Sequence, residues 1–300
     1  MIRFVYSPRY VVDIGDHVFS TEKFRLTAEA AAPGGRLVEP PEPAREDLLL
    51  AHDSSWVDKV ISGRMSLADE TLMELPFTPQ VSLAHRLQLA GTILACRHAL
   101  KAGVGLHVGG GSHHAFRGHG EGFCVLNDIA AGILKLRREG LIRRAAVVDL
   151  DVHQGNGTAA IFSGDPDTFT FSMHQEDIYP PVKEHSSLDV GLPAGVGDKE
   201  YLRHLAESLP KVFATKPELV VYQAGVDCWE GDLLGGLKLT EQGLRSRDEL
   251  LSRECHRRGI PVAVTLGGGY GRNIKETARL HSRTLLVFAG LKAEEGNFVE

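Results

Sequence analysis

The chain has 300 residues, 43% hydrophobic and 24% charged, the balance of a globular protein with chain enough for a substantial core. A formal net charge of -6 removes the electrostatic basis for direct nucleic-acid binding, and no apolar run approaches the ~20 residues of a membrane span. Cys96, Cys124, Cys228 and Cys255 form no C-x-x-C pair and suit neither a thiolate zinc site nor a disulfide framework; the start Met1-Ile2-Arg3-Phe4-Val5-Tyr6 lacks the zones of a signal peptide, so the expected compartment is the cytoplasm.

In chain order, Phe4 to Tyr6 and Tyr10 to Val12 read as short strands. Residues 30–45, rich in Ala, Pro and Gly, read as a surface loop. Glu46 to Gly63 has helical character, interrupted at His52-Asp53-Ser54-Ser55. Leu72 to Gln80, with Pro76 and Pro79, is expected to be a loop. From Ser82 to Ala102 apolar residues recur at helical spacing, and Gly103 is a suitable stop. Strands and helices then alternate. Strands are expected at 106–108, 145–150, 168–173, 218–223 and 261–266. Helices are expected at 127–138 (capped by Asn127 or Asp128), 158–162, 199–215, 240–258 and 273–288. Such alternation predicts a single-domain, three-layer α/β/α fold spanning residues 1–300, with a mainly parallel sheet. Ligands of such sheets bind beyond the carboxyl ends of the strands. The conspicuous motifs at 109–114, 149–153, 172–174, 224–228 and 267–270 all follow expected strands.

Asp149, Asp151 and His153 stand at i, i+2, i+4 after an apolar strand, which places them on one face. Carboxylate and imidazole ligate divalent cations, and a catalytic zinc keeps three protein ligands and an open position. Asp227, past the strand at 218–223, is the best candidate for completing the set. A lone Asp-x-His more often caps a turn, so the reading rests on its neighbours. His113 and His114 follow Gly109-Gly110-Gly111-Ser112. Water activated by a cation must lose a proton and a leaving amine must gain one, and histidine titrates where both are feasible. Such rings need a partner on the second nitrogen, and Asp149 and Asn156 are available. Gly267-Gly268-Gly269-Tyr270 delivers a phenol to the same edge, suited to stabilising an oxyanion. Neither a phosphate loop G-x-x-x-x-G-K-[ST] nor a G-x-S-x-G elbow is present.

These residues, in this order, resemble the zinc-dependent histone deacetylase family, which includes bacterial deacetylases and the acetoin-utilisation and acetylpolyamine amidohydrolase proteins. The likeness runs from Val5-Tyr6-Ser7-Pro8 to the helix after Tyr270, and Asp151-Val152-His153-Gln154-Gly155-Asn156-Gly157 looks most like the class IV branch. Most other members carry histidine at the position of Gln154, and many carry aspartate at that of Asn156. The resemblance implies an arginase-like fold with Zn2+ held by Asp151, His153 and Asp227. It implies catalysis by His113, His114 and Tyr270, with Asp149 and Asn156 as partners of the two histidines. It implies a tunnel for an acyl-lysine stem lined by Gly122, Phe123, Tyr179, Leu234 and Gly268. Polyamine-specific relatives carry glutamate where this chain has Leu234, so polyamines are not the expected substrate. A structural K+ or Na+ is implied near Asp149, Asp151, His153, Ser172 and Met173, with a second near Phe162, Asp165 and Thr168.

The expected activity is zinc-dependent hydrolysis of an N-acyl-lysine, with an acyl-lysine peptide or protein, or a small N-acyl amine, as substrate. His113 is the expected base and His114 the acid. A same-fold rival is a binuclear manganese ureohydrolase of the arginase type, which wants a carboxylate where Gly155 stands. A rival of another kind is a non-catalytic acyl-ligand-binding relative, which would be free to lose part of this residue set.

Overall fold

The run Ala145-Ala146-Val147-Val148 does not alternate polar with apolar, as a strand covered on both faces should not. In the computed structural model, which describes residues 1–290, that run belongs to an eight-stranded sheet. Its strands are β1 (Arg3–Val5), β2 (Arg36–Val38), β3 (Val104–His107), β4 (Ala145–Asp149), β5 (Thr168–Gln175), β6 (Leu188–Leu192), β7 (Leu219–Gln223) and β8 (Val262–Thr265). Every paired neighbour is parallel, in the order β2-β1-β3-β8-β7-β4-β5-β6. Residues 291–300 of the expected single domain lie outside the described residues.

Ten helices cover the sheet among the described residues: α1 (Glu22–Ala31), α2 (Arg45–Leu48), α3 (Ser54–Ser62), α4 (Leu67–Met73), α5 (Pro79–Ala102), α6 (Asp128–Arg138), α7 (Asn156–Ile161), α8 (Asp198–Ala214), α9 (Glu241–Arg258) and α10 (Ile274–Phe288). The two-residue period of the strands divides the core in two. Ala145 and Val147, Leu219 and Val221, and Ala263 pack with Trp56, Ile93 and Ile133 of α3, α5 and α6. Ala146 and Val148, Val220 and Tyr222, and Val262 and Val264 pack with Phe24, Leu205, Leu251 and Leu285 of α1, α8, α9 and α10. None of the helices is long and apolar enough to cross a membrane.

Several local expectations change. Tyr10–Val12 is not a strand: Pro8–Tyr10 forms a 3-10 turn whose first backbone N–H is the one proline lacks, with Ser7 Oγ accepting from Arg9 N. The loop expected at 30–45 contains the edge strand β2, and α1, absent from the sequence reading, precedes it. The helix at 46–63 breaks into α2 and α3 at the interruption, with Asp53 at the cap of α3. α5 starts before Ser82 because Pro79 occupies its first turn and Thr78 Oγ1 accepts from Val81 N. β5 runs on to Gln175, so residues 172–174 lie within a strand rather than after one. β6 was not expected; it is an edge strand with an exposed, alternating pattern.

The order of strands gathers the loops that carry the conspicuous motifs. β3, β8, β7, β4 and β5 are consecutive across the sheet. The loops after four of them, and the end of β5, therefore converge although Gly109 and Tyr270 are far apart in sequence.

Candidate active site and metal cradle

The glycine–histidine loop after β3 is held by α6. Asn127 Oδ1 caps that helix by accepting from Ala130 N at 2.9 Å. Asp128 then turns its carboxylate to the loop and accepts from Gly111 N at 2.9 Å and Ser112 N at 2.7 Å. Gln223 at the end of β7 donates to Gly111 O at 2.8 Å. The loop so fixed presents His113 and His114, both buried, with ring centroids 4.0 Å apart.

The two imidazoles have different partners. His113 Nδ1 donates to Asp149 Oδ2 at 2.7 Å, and its Nε2 is 3.8 Å from Asp151 Oδ1. Burial opposes a charge on this ring, but the two aspartates outweigh it and hold His113 at about 9. His114 Nδ1 donates to the neutral amide oxygen of Asn156 at 2.7 Å. Burial, followed by the neighbouring His113 and His153, pushes His114 well below the usual histidine range. One ring is built to stay charged and the other to stay neutral.

Asp151, His153 and Asp227 meet between β4, β7 and β8. One potential ligand atom from each lies within 4.8 Å of the others, and all three residues are buried. His153 Nδ1 is 3.2 Å from Asp151 Oδ1 and 3.3 Å from Asp227 Oδ2. The outer lone pairs of the carboxylates are taken by backbone. Gly268 N donates to Asp151 Oδ2 at 2.7 Å and Val152 N to Asp227 Oδ1 at 2.9 Å. Asp227 Oδ2 is fully buried and faces only the His153 ring, at 3.3 Å and without the alignment of a hydrogen bond, an arrangement that costs free energy unless a cation or proton occupies the gap. Burial and the charge of Asp151 push Asp227 up to about 7. Despite burial, the two aspartates raise His153 to about 10. Two carboxylates and an imidazole converging on one point are a donor set that could hold a divalent metal.

Glycine is required beside this cradle. A Cβ on Gly268 would lie 1.9 Å from Asp227 Oδ2. Tyr270, two residues on, is placed by its backbone N–H, which donates to Asp232 Oδ2 at 2.6 Å. Its ring centroid is 6.5 Å from that of His153 and 5.8 Å from that of Phe123. Burial, with Asp151 and Asp227 next, raises its phenol well above the usual value, so the hydroxyl keeps its proton.

A narrow cavity of roughly 30 Å³ opens here, lined among others by Phe19, His113, His114, Phe123, Gly268 and Tyr270. Gly122 also lines it, and Tyr179 stands over Gly122 with its ring 5.0 Å from that of His114. Leu234 does not line this cavity. It sits in the 232–235 loop, where Asp232 Oδ1 accepts from its N–H while Oδ2 holds Tyr270. Ser172 is opposite Asp149 in the β4–β5 register, and Met173 follows. At the second expected position, Arg137 already brings a guanidinium to Asp165 and Thr168.

Three residues near the site escaped the sequence reading. Lys23 of α1 is buried, donates from Nζ to Gly267 O at 3.1 Å, and lies 5.1 Å from the Tyr270 ring centroid. Burial lowers it to about 8, against the pull of Asp227 and Asp151. Asp232 positions Tyr270, and Glu121 reaches Asn156 and Tyr179. Lys23 and Asp232 left no local signal, because both act through distant loops. Glu121, directly before the noted Gly122-Phe123, could have been suspected.

The parallel sheet carries at its carboxyl edge a buried three-donor cradle that could hold a metal, beside paired imidazoles, as in an α/β enzyme. Comparison with known proteins supplies the family: a model of the histone deacetylase domain matches residues 17–285. An uncharacterised protein of Picosynechococcus sp. is 41% identical over 285 residues, spanning 93% of this chain and 95% of that one. Histone deacetylase 2 of Arabidopsis thaliana is 32% identical over 302 residues, 93% of this chain and 76% of that protein. The crystal structure of an HDA15 HD domain superimposes with a TM-score of 0.78 at 25% identity, covering 95% of this chain and 91% of that one. The chain belongs to the histone deacetylase family and has its fold. Membership makes it a deacetylase-type hydrolase, acting on acetylated substrates.

Proposed function

We propose that the chain is a zinc-dependent amidohydrolase that removes acyl groups from N-acyl-lysine in a peptide or protein, or from a small N-acyl amine. The observation that carries this reading is the buried Asp227 Oδ2, without an aligned hydrogen bond and facing the His153 ring beside Asp151 and an aromatic-walled cavity. Held by these three residues, zinc would supply Lewis acidity toward the acyl carbonyl and lower the pKa of water. Phe123 and Tyr179 would flank the lysine stem and exclude solvent from the amide. Tyr270, kept protonated, would donate to the developing oxyanion.

The expected division of labour between the histidines is exchanged in this proposal. A base must be neutral before it acts, and His114 meets that condition. His114 would take the proton of the attacking water and return it to the leaving amine. His113, charged through Asp149 and Asp151, would keep its proton and steady the anionic transition state. The ureohydrolase rival is disfavoured by space: a Cβ on Gly155 would already lie 2.3 Å from Asp149 Oδ2, leaving no room for a further carboxylate. A potassium or sodium ion near Asp149 and Ser172, and a preference for longer acyl chains, extend the same proposal.

The test is a panel of lysine peptides carrying acetyl to myristoyl groups, assayed with zinc and with a chelator. Hydrolysis that stops on chelation and returns with zinc is expected. No hydrolysis of any member by the zinc-loaded chain would overturn the reading, and two manganese ions per chain would favour the rival.

A further inference from the structure

We propose that Glu121 is a positioning residue for the acid–base step: it fixes which way the Asn156 amide faces, and thereby which nitrogen of His114 carries the proton. The inference rests on the assignment of proton transfer to His114. A primary amide can present either its oxygen or its NH2 to a neighbour, and an imidazole can accept or donate at Nδ1. The pair His114–Asn156 alone is therefore self-consistent in two arrangements. Only one of them leaves Nε2 bare to receive a proton.

Glu121 breaks the tie. Its Oε1 lies 2.7 Å from Asn156 Nδ2, and the same oxygen accepts from Tyr179 OH at 2.8 Å. Its Oε2 is 3.5 Å from His119 Nε2. An ionised carboxylate only accepts. Asn156 must then turn its NH2 to Glu121 and its oxygen to His114, so His114 Nδ1 carries hydrogen. Reversing the amide would set a carbonyl oxygen against a carboxylate oxygen in a site largely shielded from water, where the Glu121 side chain is only 16% exposed.

The backbone holds the carboxylate in place. Glu121 and Cys124 exchange backbone hydrogen bonds, each 2.9 Å, across a two-residue turn. Gly122 and Phe123 in that turn both have left-handed φ, at 49° and 64°, as such tight reversals require. One turn therefore orders the Phe123 wall and the Glu121 anchor together. Glu121 also ties Tyr179, which flanks the tunnel, to the partner of the proton-transfer histidine.

The experiment uses the zinc-loaded full chain and four variants: Glu121→Ala, Glu121→Gln, Asn156→Asp, and the double variant Glu121→Gln with Asn156→Asp. The tautomer of His114 is read from its ring nitrogens by two-bond 1H–15N correlation spectra, with His114→Gln for assignment. In the starting protein the Nδ1–H form is expected alone, and in Glu121→Ala a mixture with the Nε2–H form. Turnover of an acyl-lysine peptide should fall about tenfold or more in Glu121→Ala. Asn156→Asp faces Glu121 with a second carboxylate and should lose at least as much. The double variant moves the single charge to position 156 and lets the Gln amide donate to it, so Nδ1–H should be retained and turnover should exceed that of Asn156→Asp, with the pH profile shifted upward because the new carboxylate at position 156 favours a charged His114. A merely structural role would lower thermal stability without changing the tautomer or producing this rescue.

An unchanged tautomer in Glu121→Ala, or a double variant no better than Asn156→Asp, overturns the proposal. The spectra decide it even if no acyl-lysine substrate is found, so its failure is separate from that of the proposed activity. Should Glu121→Ala not fold, the near-isosteric Gln and Asp variants carry the test.

Discussion

Gly268→Ala probes the cradle without replacing a ligand. The added Cβ would stand 1.9 Å from Asp227 Oδ2 and 2.8 Å from Asp151 Oδ2. Real Cβ contacts do not fall below 3.0 Å, so Asp227 Oδ2 must retreat by roughly 1.1 Å. Its other oxygen is tied to Val152 N, which prevents the carboxylate from sliding away as a unit. Metal–ligand distances tolerate only about 0.2 Å. The substitution therefore removes one of three donors. Loss of an outer partner of a ligand costs up to about 100-fold in metal affinity, and loss of a ligand should cost at least that, or about 2.7 kcal/mol. Overpacking should lower stability by about 1–3 kcal/mol besides. Gly140→Ala is the control: its φ of 70° makes alanine strained, but nothing lies within 4 Å. Both variants should melt earlier when metal-free. In a zinc titration against a chromophoric chelator, only Gly268→Ala should lose affinity. A zinc affinity within about threefold of the starting protein in Gly268→Ala would refute the placement of the metal between Asp151, His153 and Asp227.

Metal binding should release protons, because Asp227 at about 7 and His153 at about 10 hold them in the metal-free chain; zinc affinity should rise steeply with pH up to about 7 and less steeply above it, as calorimetry in buffers of different ionisation enthalpy would show. Tyr270→Phe should lower kcat by about 10²-fold or more with little change in KM, since the lost donor acts on the developing charge; steady-state kinetics on an acyl-lysine peptide check it. Asp149→Asn should remove a pH-dependent stability. The folded pKa of His113 is raised to about 9, so its contribution is full below the unfolded value of about 6.5 and lost as pH rises through 9. Thermal melts of the metal-free chain should therefore decline between about pH 6.5 and 9 more in the parent than in the variant.

Apart from the edge strand β6, the chain alone determined the alternation of strands and helices from Gly103 onward and the residue types of the cradle. Asp149 ends β4, and Asp151 and His153 follow in the bend just past it, so the cluster was legible as a strand-end motif although the expected extended spacing on one strand face stops at Asp149. The buried strands were also legible, because covering on both faces leaves an unbroken apolar run such as Ala145–Val148. The edge strands β2 and β6 were not, since one partner strand and partial exposure leave little periodic signal. α1 was missed for a related reason: its buried face includes Lys23 and Thr27 beside Phe24 and Ala28, so burial and polarity point in opposite directions.

Only the tertiary structure decided which partner each histidine received, and with it which ring keeps its charge. It alone brought Glu121 to Asn156, Lys23 to Gly267 and Asp232 to Tyr270. The physical reason is range. Backbone geometry acts over a few residues and is written in local spacing. Hydrogen-bond partners and buried charges are set by which loops the parallel sheet, with β3, β8, β7, β4 and β5 side by side, carries to the same edge.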